Sequence, residues 1–159
     1  MTGPDVSWLS DEELATWRAF HAVSRFIDEA LDRQLTRDSG MSHAHYATLV
    51  ALSEAEAGTA RMGDLAEFLQ FSPSRMSHAI ARMERDGWVE RRRCPTDGRG
   101  QEAVLTDAGR AALEEAAPGH VHEVRRLFVD RLSQQQQAQL RSIAEVLMDQ
   151  LEDEIRRIV

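Results

Sequence analysis

The chain has 159 residues, 42% hydrophobic and 29% charged, which suits one domain of ordinary size whose core needs no staples. A single cysteine, Cys94, excludes an intramolecular disulfide, and the acidic N-terminus is not followed by an apolar run of the roughly 18 residues a membrane span needs, so a reducing, cytoplasmic setting is expected. The net charge of −8 argues against a nucleic-acid partner only until its distribution is read: residues 61–110 hold nine arginines against eight acids, the remainder ten against nineteen.

Ser10-Asp11-Glu12-Glu13 predicts a capping box, and Leu14, Trp17, Phe20, Ser24, Ile27, Leu31 and Leu35 then recur at helical spacing until Gly40 stops the helix. Ser42 caps a second helix with Tyr46, Leu49, Val50 and Leu52 on its buried face, closed by Gly58. A short third helix is expected from about Met62 to Leu69. A fourth follows the Phe71-Ser72-Pro73 break and runs from about Ser72 to Asp86, with Pro73 in the first turn, where its missing N–H does no harm. Met76, Ala79, Ile80 and Met83 form its inward face, and Gly87 ends it.

Val89 to Arg93 and Glu102 to Leu105 read as two strands around the turn-rich loop Cys94 to Gly100. Thr106 caps a further helix that Pro118-Gly119 should kink or break, and Ser133 with Gln136 forms a second capping box. The last helix carries Leu140, Ile143, Leu147, Leu151, Ile155 and Ile158 on a stripe narrow enough for helix pairing.

The predicted class is mainly α with a small β-hairpin wing. Helix, tight turn, helix and hairpin is the order of a winged helix-turn-helix, whose second helix enters the major groove while the hairpin reaches the flanking backbone or minor groove. Ser74, Arg75, Ser77 and His78 fall on the outer faces near the start of the fourth helix, where donors can meet base edges, and Arg82 lies further along, better placed for the backbone. Double-stranded DNA is the expected partner.

Several blocks in order resemble the multiple-antibiotic-resistance regulator (MarR) family: Met62-Gly63-Asp64-Leu65-Ala66, Ser72-Pro73-Ser74-Arg75-Met76-Ser77, Met83-Glu84-Arg85-Asp86-Gly87-Trp88-Val89-Glu90-Arg91, Asp97-Gly98-Arg99, and Val104-Leu105-Thr106-Asp107-Ala108-Gly109. The resemblance implies a homodimer clamped by an N-terminal helix (1–40) and C-terminal helices (111–159) around a DNA-binding domain (41–110). It also implies a repressor on a near-palindromic operator, with Arg99 entering the minor groove and Asp97 bracing the wing. The family holds small aromatic or phenolic effectors near its first two helices, which makes Trp17, Phe20, His21, His45 and Tyr46 candidate ligand contacts.

Other readings remain beside this one. Cys94 follows three arginines, so a redox-responsive thiolate is an alternative. The pairs His43/His45 and His120/His122 invite a metal, but residues two apart on a helix diverge by about 200°, so capping and packing are expected instead and no metal or cofactor is assigned. A winged helix can also be a protein-interaction module. No phosphate loop, nucleophile elbow or ligand cluster is legible, and an enzyme is not expected.

Overall fold

The computed structural model describes residues 6–94 and 100–158, with side chains described as far as Leu151. The chain divides into two compact units, Met1–His120 and Val121–Val159. Helix α1 (Asp11–Ser39) starts with the predicted box: Glu13 N donates to Ser10 Oγ at 3.3 Å and Ser10 N to Glu13 Oε2 at 2.7 Å. It ends at Gly40 in the left-handed conformation. Helix α2 (His43–Glu54) is capped by Ser42 and, from α1, by the Asp32 carboxylate, which accepts the His43 amide at 2.9 Å. A carboxylate at a helix N-terminus satisfies a free amide and opposes the positive end of the dipole.

Helix α2 stops at Glu54, four residues before the expected Gly58. The chain instead makes a one-turn 3₁₀ segment with Ala57 at φ 52, and Thr59–Arg61 forms a strand, β1, that the sequence did not suggest. Helices α3 (Met62–Phe68) and α4 (Pro73–Arg85) follow, then strands β2 (Val89–Arg93) and β3 (Gln101–Leu105). The sheet is antiparallel in the order β1-β3-β2, with Thr59 opposite Val104 and Val89 opposite Leu105. Strand β1 covers an edge of the hairpin, so β3 is paired on both sides.

Two helix ends shape this unit. Gln70, at φ 53, lets Phe71 N reach Ala66 O at 2.8 Å and turns the chain from α3 into α4. At the end of α4, Gly87 at φ 76 lets Trp88 N donate to Met83 O at 2.9 Å and Gly87 N to Glu84 O at 3.1 Å, the paired bonds of a Schellman motif. The chain leaves α4 directly into β2. Leu35, Met41, Leu49, Leu52, Met76, Ile80 and Met83 are essentially inaccessible and form the core with Val89 and Ala103. The predicted inward face of α4 is therefore the buried one.

Helix α5 (Asp107–Leu127) is capped by Thr106, whose hydroxyl accepts Gly109 N at 3.0 Å and donates to Gly87 O at 2.7 Å. Of the kink or break expected at Pro118, the break does not occur: the helix continues through it. Proline removes one i to i−4 hydrogen bond, and the turns on either side of it stay helical here. The second unit holds the end of α5, a short 3₁₀ turn at Val129–Arg131 and α6 (Gln134–Ile158), which starts with the predicted Ser133/Gln136 capping box. No described helix is long and apolar enough to cross a membrane.

Candidate nucleic-acid interface

The outer face of α4 follows from its inner one. With Met76, Ala79, Ile80 and Met83 locked in the core, helical geometry turns Ser74, Arg75, Ser77, His78 and Arg82 outward, and all five are exposed. Ser72 caps the helix by accepting Arg75 N at 3.2 Å, and Arg75 lays its guanidinium over the Phe71 ring, 4.0 Å from the centroid. That stacking restrains a long side chain without occupying its hydrogen-bond donors. Arg82 pairs with Asp86 on its own helix at 3.1 Å.

The strands stand beside this helix. Arg92 pairs with Glu90 within β2, whereas Arg91 turns back to α4 and touches Glu84 and the Ser77 carbonyl. Cys94 is buried at the end of β2, its amide donating to Gly100 O at 2.9 Å. Burial shields a thiol from oxidants, so the redox alternative gains nothing from its surroundings. Asp97 and Arg99 lie outside the described residues.

The candidate ligand contacts fall into separate groups. Trp17, Phe20 and His21 cluster on the exposed first half of α1, with ring centroids 6.4 Å apart for Trp17 and Phe20 and 5.7 Å for Trp17 and His21. Tyr46 packs against His120 of α5 at 4.3 Å, and His43 approaches the same ring at 5.6 Å. One histidine of each His-x-His pair thus meets the other pair across two helices. Among the described residues, no group of three or more histidine, cysteine, aspartate or glutamate side chains could hold a metal. Sequence spacing also missed a groove of about 690 Å³ beside the start of α4, bounded by Arg25, Asp28 and Asp32 of α1, His43 of α2, and Phe71 and Arg75. Its walls come from three separate segments of the chain, so no local motif could announce it.

Burial pushes His120 below the ordinary histidine range, and the neighbouring His43 acts in the same direction. His45 is lowered by burial and by Arg82, against the opposing pull of Asp86 and Asp32. Both imidazoles hold a proton less tightly in the folded chain than in the unfolded one. Stability is therefore full above the unfolded value of about 6.5 and declines as pH falls through it towards the lowered folded values. The thermal midpoint should drop between pH 7.5 and pH 5.5, and His120→Phe should reduce the drop; equal drops in both proteins would refute the assignment.

A recognition helix with one buried face, preceded by a tight turn and followed by a β-hairpin that pairs with the earlier strand β1, defines a winged helix-turn-helix protein. A model of the MarR family matches residues 39–100. Among solved structures, Sco3205, a MarR family transcriptional regulator from Streptomyces coelicolor determined in complex with DNA, is 43% identical, with a TM-score of 0.89 over 94% of this chain and 93% of that one. AbsC, a MarR family transcriptional regulator of the same organism, is 37% identical, with a TM-score of 0.87 over 93% and 99%. A mutant MarR from E. coli complexed with operator DNA shares the fold, at 24% identity and a TM-score of 0.76 over 89% and 99%. No curated protein sequence shows significant similarity. The chain belongs to the MarR family of transcriptional regulators.

Proposed function

We propose that the chain is a sequence-specific double-stranded DNA-binding regulator, acting in the cytoplasm as a homodimeric repressor on a near-palindromic operator. The observation that carries this is the outer face of α4, where Ser74, Arg75, Ser77 and His78 are exposed on a helix whose opposite face is immobilised in the core. Those side chains can meet base edges in the major groove, with Arg82 towards the backbone. Arg99 enters the minor groove from the wing tip, with Asp97 bracing the wing. The DNA complex of Sco3205 supports the partner.

Dimerisation is supported by apolar faces that water should not see. On α1, Trp17 is 54% exposed and Phe26 68%; on α6, Ile143 is 57% exposed and Leu147 and Leu151 are similarly open. Stripes of this kind are characteristic of surfaces that another chain covers. A second copy would set two α4 helices about one duplex turn apart, with half-sites spaced by about 10 base pairs. A small aromatic or phenolic effector at Trp17, Phe20, His21, His45 or Tyr46 would release the operator by favouring one helix spacing over another, since equal affinity for both shifts nothing.

Selecting bound duplexes from a random pool tests the reading. Paired half-sites should emerge, and Arg99→Ala should weaken binding to them about tenfold or more while the protein still sediments as a dimer. Enrichment of no sequence, with pull-down of a protein partner instead, would favour an interaction module.

A further inference from the structure

The arginines around the recognition helix do not all have the same task. Arg82 and Arg92 pair within their own elements. Arg91, in β2, is held by groups on α4 instead. Its backbone amide donates to Glu84 Oε1 at 3.2 Å, and its Nε lies 3.1 Å from Glu84 Oε2. Its Nη2 donates to the Ser77 carbonyl at 3.0 Å. Ser77 and Glu84 are seven residues apart, about two helical turns, so one side chain grips α4 along half its length. The pair is also sheltered, with the Arg91 and Glu84 side chains 24% and 34% exposed.

We propose that Arg91 is a positioning residue for DNA recognition: through Glu84 and the Ser77 carbonyl it fixes the recognition helix against the wing, so that helix and wing reach their grooves together. The proposal rests on the DNA-binding reading above. Two features separate this from a phosphate contact. Arg91 already has a carboxylate partner at ion-pair distance, which a phosphate would have to displace. Its side-chain hydrogen bond goes to the backbone of Ser77, a residue of the outward face, so the clasp acts on the segment of helix that meets base edges. Without the clasp, α4 and β2 would still be joined through the Gly87 turn and their shared core, but the outward segment of α4 at Ser77 would lose its tie to the strand.

Glu84 supplies the discriminating test. Removing this carboxylate takes a negative charge away from the DNA-facing side, which by long-range electrostatics alone tightens binding. The clasp predicts the reverse. Arg91→Ala, Glu84→Ala, Glu84→Gln and the Arg91/Glu84 double alanine variant are compared by titration against the selected operator and a random duplex over a range of salt. Thermal melts of each variant monitor folding, and Glu84→Gln keeps an acceptor for the Arg91 amide. Each alanine variant should bind the operator about tenfold more weakly and the random duplex unchanged. The salt slope should match wild type, and the double variant should lose no more than either single one.

Unchanged or tighter operator binding by Glu84→Ala overturns the proposal. So does a salt slope reduced by about one per subunit in Arg91→Ala, the mark of a lost phosphate contact. If the wild-type chain ignores every duplex, the DNA reading falls and the proposal with it; if wild type binds and the variants match it, the proposal alone falls.

Discussion

Gly109→Ala should lower the thermal midpoint by roughly 10 °C, corresponding to about 3 kcal/mol at this chain length. A Cβ built at Gly109 would lie 2.1 Å from the Trp88 carbonyl oxygen and 2.9 Å from Leu105 Cδ1. The first obstacle is backbone and cannot rotate away. Helix α5 would have to lift from the base of the wing, straining the bonds that seal this junction: Thr106 N to Trp88 O at 3.1 Å and Thr106 Oγ1 to Gly87 O at 2.7 Å. Each such bond is worth about 1 kcal/mol, to which the steric penalty adds. Gly63→Ala is the matched control, since a methyl group there meets nothing within 4 Å and the site is helical. If the two variants, melted at equal concentration, unfold at the same temperature, the close approach does not govern stability.

The second large effect is on DNA. Arg75→Ala should weaken operator binding about 100-fold or more, because a side chain directed at base edges is worth about 1–3 kcal/mol and a dimer loses it twice. Preference among bases in each half-site should relax at the same time. Phe71→Leu should reproduce a smaller part of the loss, since the guanidinium would keep its charge but lose the ring on which it rests 4.0 Å from the centroid. Competition binding against single-base operator variants separates these patterns; an Arg75 variant with wild-type base preference would remove that residue from sequence readout.

What could be read from the sequence was local. The caps at Ser10, Ser42, Thr106 and Ser133 are hydrogen bonds across three residues, so a Ser or Thr before an apolar repeat suffices to reveal them. The recognition helix was legible because Pro73, the four buried positions and Gly87 agree on its start, its face and its end. Strand β1 was not, since Thr59-Ala60-Arg61 is too short to show alternation and is extended only because β3 pairs with it. The same is true of the Asp32 carboxylate on α2 and of Glu84 and Ser77 on Arg91: the partners lie in different elements, and tertiary structure creates the pairs. At Pro118 the local rule predicted a kink or a break; the break does not occur, since the helical turns on both sides outweigh one missing hydrogen bond.

In the proposed function, two copies of α4 on one dimer read a duplex through cationic and polar contacts. The most direct measurement is the affinity of the intact protein for its selected duplex at increasing salt, with hydroxyl-radical footprints of the bound state. Affinity should fall steeply and log-linearly with salt, with one protein dimer per duplex and two protected patches one helical turn apart on the same side of the DNA. Salt-independent binding, or a single protected patch from a monomer, would contradict it.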